Sequence, residues 1–216
     1  MMLSRHPWVF ALVIALLGMI GGLADPSFGR AQADLSLIGT FPDVPLSHPA
    51  YESIEYLARK GIVGGYPDGT FRPEQTMNRA EFTKIIVGTL FPALDVEGCL
   101  PSLPSELRFT RTLVFPDVAR HQWFAKYVCK AKVAGIIEGF PDGTFRPALT
   151  INFAEAAKIL VSGFKLSLPA SFPAADPWFR PFVEALGEHH AIPLSVHTPD
   201  QRLTRGEMAE MVYRLQ

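Results

Sequence analysis

The sequence predicts an all-α domain of three helix–loop–helix repeats in a rough threefold arrangement, preceded by a signal-peptide helix. Three observations carry that prediction. One stretch is written twice, as "YPDGTFRPEQTMNRAE" (Tyr66–Glu81) and 74 residues later as "FPDGTFRPALTINFAE" (Phe140–Glu155). Apolar residues beside each copy recur at helical spacing. A worn third copy of the same plan follows towards the C-terminus. A module of about 45 residues buries little by itself, so three of them must share one core.

The N-terminal segment stands apart from the repeats. Arg5 and His6 precede an apolar run from Trp8 to Ala24, followed by Pro26, Gly29 and the small-residue site "AQA", Ala31–Ala33. Residues 1–33 therefore read as a secretory signal peptide cleaved after Ala33. The alternative is an uncleaved anchor, because about 17 apolar residues is the lower limit for crossing a bilayer. Either way the remainder is exported. With a net charge of −1 and 19% charged residues, no basic field recruits nucleic acid. Contact with a membrane would run through the N-terminal segment alone. Any bound anion must be held by a few placed arginines and lysines.

The first repeat is expected over residues 41–90 and the second over 115–164. Aligned without gaps from Phe41 and Phe115, about 21 of 48 positions are identical. The identities cluster in "FPDV", in "PDGTFRP" and at the Asn-x-Ala-Glu sites. In the first repeat Pro49 suits an opening turn, Ala50, Ile54, Leu57 and Ala58 form an apolar stripe, and Gly61 supplies the stop. In the second, Phe124, Val128 and Ala131 form the stripe and Gly135 ends it. The Pro-Asp-Gly-Thr segments, with Asp68 and Gly69 or Asp142 and Gly143, read as tight turns. Phe71 and Phe145 should plug each loop into the core. The second helix of each repeat opens on a capping box, Asn78 with Glu81 and Asn152 with Glu155.

Thr204 and Glu207 repeat that box and reveal the third copy, expected over residues 174–216. Phe182, Val183 and Leu186 carry its first helix, and Met208, Met211, Val212 and Leu215 its last. In place of the Pro-Asp-Gly-Thr turn it has "PLSVHTPDQR". Residues 91–114 read as a Pro-rich connector. Cys99 in that connector and Cys129 in the second repeat allow one connectivity, and an oxidising compartment favours a disulfide. Two free thiols, with Cys129 a small core residue, are the alternative.

These motifs resemble the S-layer homology family. The resemblance rests on Phe-x-Asp-Val, the aromatic at the first helix, Pro-Asp-Gly-Thr-Phe-x-Pro and the Thr-Arg-Ala-Glu-like helix start. It covers about residues 41–216. It implies three helical repeats in a pseudo-threefold prism and noncovalent attachment to cell-wall polysaccharide, often bearing pyruvate ketals, in grooves between repeats. An exported protein of the bacterial envelope is the corresponding expectation, with other envelope proteins as further partners.

An acidic sugar polymer calls for cations, aromatic faces and short polar groups. Arg79 and Arg205 each follow a helix N-cap, where free amides could also meet an anion. Trp123 and Trp178 offer aromatic faces, with Tyr51 slightly out of register in the first repeat. Asp43, Asp117 and Asp176 fall at the family's aspartate positions and either touch sugar or cap a turn. Phe153 stands where Arg79 stands in the first copy, so fewer working sites are expected than the family's full set. Arg79→Ala is expected to weaken binding with little effect on melting, unless Arg79 holds repeats together. No cofactor or metal is implied, and His189, His190 and His197 match no metal-site spacing. Two other function classes remain open, a self-assembling envelope protein and a wall-glycan hydrolase using carboxylates such as Asp68 and Asp142. Every notable polar residue recurs by repeat, whereas catalytic sets are normally unique, so no enzyme is expected.

Overall fold

The computed structural model describes residues 39–103, 115–169, 173 and 176–216. The expected signal peptide and the connector residues 104–114 lie outside the described residues. Eight helices are described: α1 Tyr51–Arg59, α2 Arg79–Leu90, α3 Ala93–Glu97, α4 Cys99–Ser102, α5 Ala125–Val133, α6 Phe153–Phe164, α7 Arg180–Glu188 and α8 Arg205–Arg214. Among the described residues no helix is long and apolar enough to cross a membrane.

Local chemistry explains where the helices begin and end. At α2, Asn78 Oδ1 accepts from the Glu81 amide at 2.9 Å, and Glu81 Oε2 accepts from the Asn78 amide at 2.9 Å. The same reciprocal box opens α6 at Asn152 and Glu155, and α8 at Thr204 and Glu207. Helices α1, α5 and α7 have nine residues each and lack a side-chain cap. Each is stopped two residues later by a left-handed residue: Gly61 at φ +69°, Gly135 at +73° and His190 at +53°. Glycine takes that conformation without a Cβ penalty, and histidine is among the few other residues that visit it readily.

The two helices of one repeat are not the tightest pair. Instead α2 packs on α5, α6 on α7, and α8 on α1. Each repeat's second helix thus lies against the first helix of the next repeat, and the last returns to the first. A long loop separates the two helices within a repeat, so nothing forces them to be antiparallel neighbours as a short turn would. The helix–loop–helix unit of the sequence is therefore completed only by its neighbours.

A backbone ring closes the centre. The Met77 amide donates to the Leu203 carbonyl at 3.2 Å, Leu203 to Ile151 at 3.1 Å, and Ile151 back to Met77 at 3.1 Å. Isolated bridges pair Asn78 with Thr150, Asn152 with Arg202, and Thr204 with Thr76, one step round the ring each time. Met77, Ile151 and Leu203 are fully buried, as are the loop plugs Phe71 and Phe145. This is the threefold arrangement expected from the repeats.

In the first two loops one aspartate holds the chain. Asp43 accepts from the Phe71 and Arg72 amides at 2.8 and 2.6 Å, and Asp117 accepts from Phe145 and Arg146 at 2.9 and 2.6 Å. The third loop uses Gln201 instead, whose amide group donates to the Ser195 carbonyl and Glu207 Oε1 and accepts from the His197 amide. Cys99 and Cys129 are joined by a disulfide, with Cα atoms 6.1 Å apart, that ties α4 to α5. Ion pairs from Lys126 to Glu97 and from Lys130 to Asp95 flank it.

Candidate functional site

Two grooves run between repeats, built from corresponding residues shifted one step round the ring. The first is lined by Ile62–Tyr66, by Glu81, Lys84 and Ile85 of α2, by Trp123 ahead of α5 and by Arg205 of α8. The second is lined by Ile136–Pro141, by Glu155, Lys158 and Ile159 of α6, by Trp178 ahead of α7 and by Arg79 of α2. Their volumes are about 290 and 580 Å³, at and above the lower end of small-molecule sites. Three repeats contribute to each groove, so neither exists in an isolated repeat.

The floor of each groove is an aromatic ring between two guanidinium groups. Arg72 and Arg205 lie 4.0 and 5.1 Å from the Tyr66 ring centre. Arg146 and Arg79 lie 4.1 and 4.7 Å from that of Phe140. Arg72 and Arg146 sit at positive φ and pair with Asp68 and Asp142. The Thr70 and Thr144 hydroxyls, reinforced by Arg72 and Arg146, hold those carboxyls well below the usual carboxylate range. Asp68 and Asp142 are thereby turn residues locked by their own loops.

Arg79 is not an open surface cation. Only 6% of it is exposed, its Nε donates to the Phe145 carbonyl at 2.9 Å, and a terminal nitrogen lies 3.7 Å from Glu155. Burial pushes its guanidinium down from the usual value, and Glu155 opposes that shift. Arg205 is held similarly, by the Phe71 carbonyl at 2.8 Å and the Gly64 carbonyl at 3.0 Å. Both arginines therefore join repeats as well as line grooves. The expectation that Arg79→Ala would leave melting unchanged is corrected by this burial. Free helix amides are corrected too. The Arg79 and Ala80 amides donate to Leu149 and Pro147, and those of Arg205 and Gly206 donate to Gln75 and Pro73. With the third amide of each helix capped, its N-terminus is occupied by the neighbouring repeat.

Trp123 and Trp178 are 53% and 56% exposed and line the grooves through open ring surface. The aspartates do otherwise. Asp43 and Asp117 spend both oxygens on loop amides, eight residues ahead of their helices. Asp176 stands four residues ahead of α7 and pairs with Arg180 at 2.9 Å. The third repeat's loss of "FPDV" shifted that register, so Asp176 does not correspond to the other two. Counted back from α1, Pro49 rather than Tyr51 holds the position of the tryptophans, and Tyr51 packs against the core.

Lys84, Lys158, Tyr66, Phe140 and Glu138 were not singled out from sequence. The lysines were findable, since they recur at the repeat offset inside "TKIIV" and "AKILV". Their surroundings differ. Among the described residues Lys84 has no carboxylate at ion-pair distance, and its ammonium lies 5.9 Å from the Trp123 ring centre. Lys158 pairs with Glu138 at 2.5 Å.

The corresponding third face has a different character. It is lined by His48, Pro49, Glu74, Leu194, Glu207, Glu210 and Arg214, among others. Glu210 replaces the groove lysine, Pro49 the tryptophan, and the buried Phe153 the arginine. Burial raises the Glu210 carboxyl above its usual value, against the pull of Arg214. One arginine faces three carboxylates there, whereas in the first groove two cations face one. Among the described residues no group of histidine, cysteine, aspartate and glutamate could hold a metal ion.

Comparison with known proteins gives a family match and several relatives. Residues 40–83 and 114–157 match the family described as S-layer homology domain. The chain is 29% identical over 204 residues to the S-layer protein EA1 of Bacillus anthracis, covering 90% of this chain and 21% of that protein. It is 32% identical over 148 residues to an S-layer protein of Bacillus licheniformis, 68% of this chain and 14% of that one. A cellulosome-anchoring protein of Acetivibrio thermocellus is 34% identical over 121 residues, 56% of this chain and 25% of its own length. The chain thus spans a quarter or less of each of these curated relatives.

Proposed function

We propose that this chain, whose residues 40–83 and 114–157 match the S-layer homology domain, is a non-catalytic attachment module of the bacterial cell envelope. It holds an acidic wall polysaccharide, of the pyruvate-ketal kind, in the grooves between repeats. Residues 174–216 serve as a degenerate third repeat that closes the ring, residues 91–114 as the connector, and residues 1–33 direct export. The observation that carries the reading is the first groove, where Lys84, without an ion-pair partner among the described residues, lies 5.9 Å from the ring centre of the half-exposed Trp123 and Arg205 lines the same groove. An aromatic face stacks on a sugar ring while cations take its carboxylate. Arg79, buried, and Arg205, half-buried, add positive charge to the groove walls.

Cosedimentation with purified sacculi tests this. Binding should be lost when the wall polysaccharide is removed chemically. It should weaken about tenfold or more in a Lys84→Ala, Trp123→Ala variant, the scale of one charge-assisted contact plus one stacked ring. Unchanged binding to stripped sacculi would exclude the polysaccharide as ligand. Release of soluble glycan fragments in the same tubes would show a hydrolase instead.

A further inference from the structure

The two grooves share their arginine, lysine and tryptophan and differ modestly at Val63 against Ile137 and Tyr66 against Phe140, but at one lining position they differ in charge. The first groove has Gly64 where the second has Glu138. Glu138 reaches Lys158 at 2.5 Å, while Lys84 has no carboxylate at that distance among the described residues. Resting on the groove reading above, we propose that Glu138 is an internal carboxylate that sets the specificity of the second groove. It occupies the ammonium that a ligand carboxylate would otherwise take, leaving that groove to uncharged sugar residues. The first groove, with no side chain at Gly64, takes the acidic ones.

The physical argument has two parts. An acidic ligand in the second groove must displace Glu138 from Lys158 and then sit beside a like charge. In the first groove it meets Lys84 with no competitor. Glu138 is held in its charged form by Lys158, whose hydrogen bond keeps the carboxyl below its usual range, so the competitor persists at neutral pH. The Glu138 side chain is 70% exposed, and water weakens such pairs. The discrimination should therefore be moderate, about three- to tenfold. A wall polymer with acidic and neutral residues could then lie across both grooves in one direction only.

The position can be exchanged without disturbing the fold. A Cβ on Gly64 would meet nothing within 4 Å, and its backbone lies outside the left-handed region. Glu138→Gln keeps shape and loses charge. The probes are a methyl hexoside bearing a 4,6-pyruvate ketal and its uncharged methyl ester, titrated into the full chain. The indole N–H resonances of Trp123 and Trp178, assigned with Trp→Phe variants, report the two grooves separately. In the unaltered protein the acid should move Trp123 at about three- to tenfold lower concentration than Trp178, and the ester should not distinguish them. Glu138→Gln should bring Trp178 into line with Trp123 for the acid, and Gly64→Glu should weaken the Trp123 response to it. Ester responses should stay the same. Equal responses to the acid in the unaltered protein, or none of these changes in either variant, would overturn the assignment of Glu138. If neither indole responds to either probe in any variant, the groove reading falls and Glu138 with it.

Discussion

In the first two loops a single aspartate reaches across 28 or 29 residues to hold two backbone amides. In the third, Gln201 ties His197, Ser195 and Glu207 over spans of four to six. Yet all three loops deliver their strands to the same central ring, with donor and acceptor advancing one repeat at each step. The ring is made by backbone groups, which every residue except proline supplies in full. The grooves are made by side chains, and there the third repeat departs, with Glu210 for lysine and Pro49 for tryptophan. The comparison teaches that architecture can survive substitutions that remove a binding surface, because the two are written in different parts of the chain.

The largest test of that distinction is at the centre. Ile151→Ala and Leu203→Ala should each cost about 2–5 kcal/mol in urea unfolding, as buried aliphatic truncations do. The two costs should be similar although Leu203 lies in the worn repeat. A cost well under 1 kcal/mol at Leu203 would show that the third repeat is a passenger. Next comes Arg79→Ala, which removes a charge-assisted bond between repeats and should cost about 1.5–3 kcal/mol. Thermal unfolding would register it even without ligand, whereas the same change at exposed Lys84 should leave stability nearly unaltered.

A smaller effect separates the helix stops. Gly135→Ala meets no neighbour within 4 Å, so its cost is the left-handed backbone alone, about 1 kcal/mol. His190→Gly relieves the same strain and should stabilise by up to about 1 kcal/mol. Opposite signs in the two unfolding curves are the expected result. The smallest effect is with acid. Asp68 and Asp142 have lowered carboxyl pKa values in the folded state, so their contribution is fully present above the ordinary value of 3.8 and is lost as pH falls towards the folded value. Against an Asp68→Asn, Asp142→Asn variant, the stability difference should therefore shrink below about pH 3.8.

Much of the fold was legible because its signals are local. Asn78, Asn152 and Thr204 with their glutamates announce helix starts within four residues, and Gly61 and Gly135 announce stops by the left-handed conformation that glycine takes without penalty. Phe71 and Phe145 are buried as the position after a tight turn suggested. Partner choice was less legible. Nothing local says that α2 rests on α5 rather than on α1, since the apolar stripes are interchangeable in chemistry. The burial of Arg79 was illegible for the same reason. A cation one residue past a cap is exposed on a lone helix, and it is buried here by the Phe140 and Phe145 rings of another repeat. The groove lysines escaped notice because a lysine on a helix is ordinarily a solvated residue, and only the juxtaposed tryptophan of the next repeat gives it a role.

The pairing of α8 with α1 has a consequence for how the protein is made. During synthesis α1 emerges first and its partner helix, Arg205–Arg214, emerges last. The Met77 amide likewise waits for Leu203. The α1 stripe stays uncovered until α8 has emerged, so the ring closes only when nearly the whole domain has been translated, although α2 can pack on α5 earlier. A nascent chain in that condition carries an exposed apolar helix until its last ten or so residues arrive. The contact that closes the ring is the last one the chain can make.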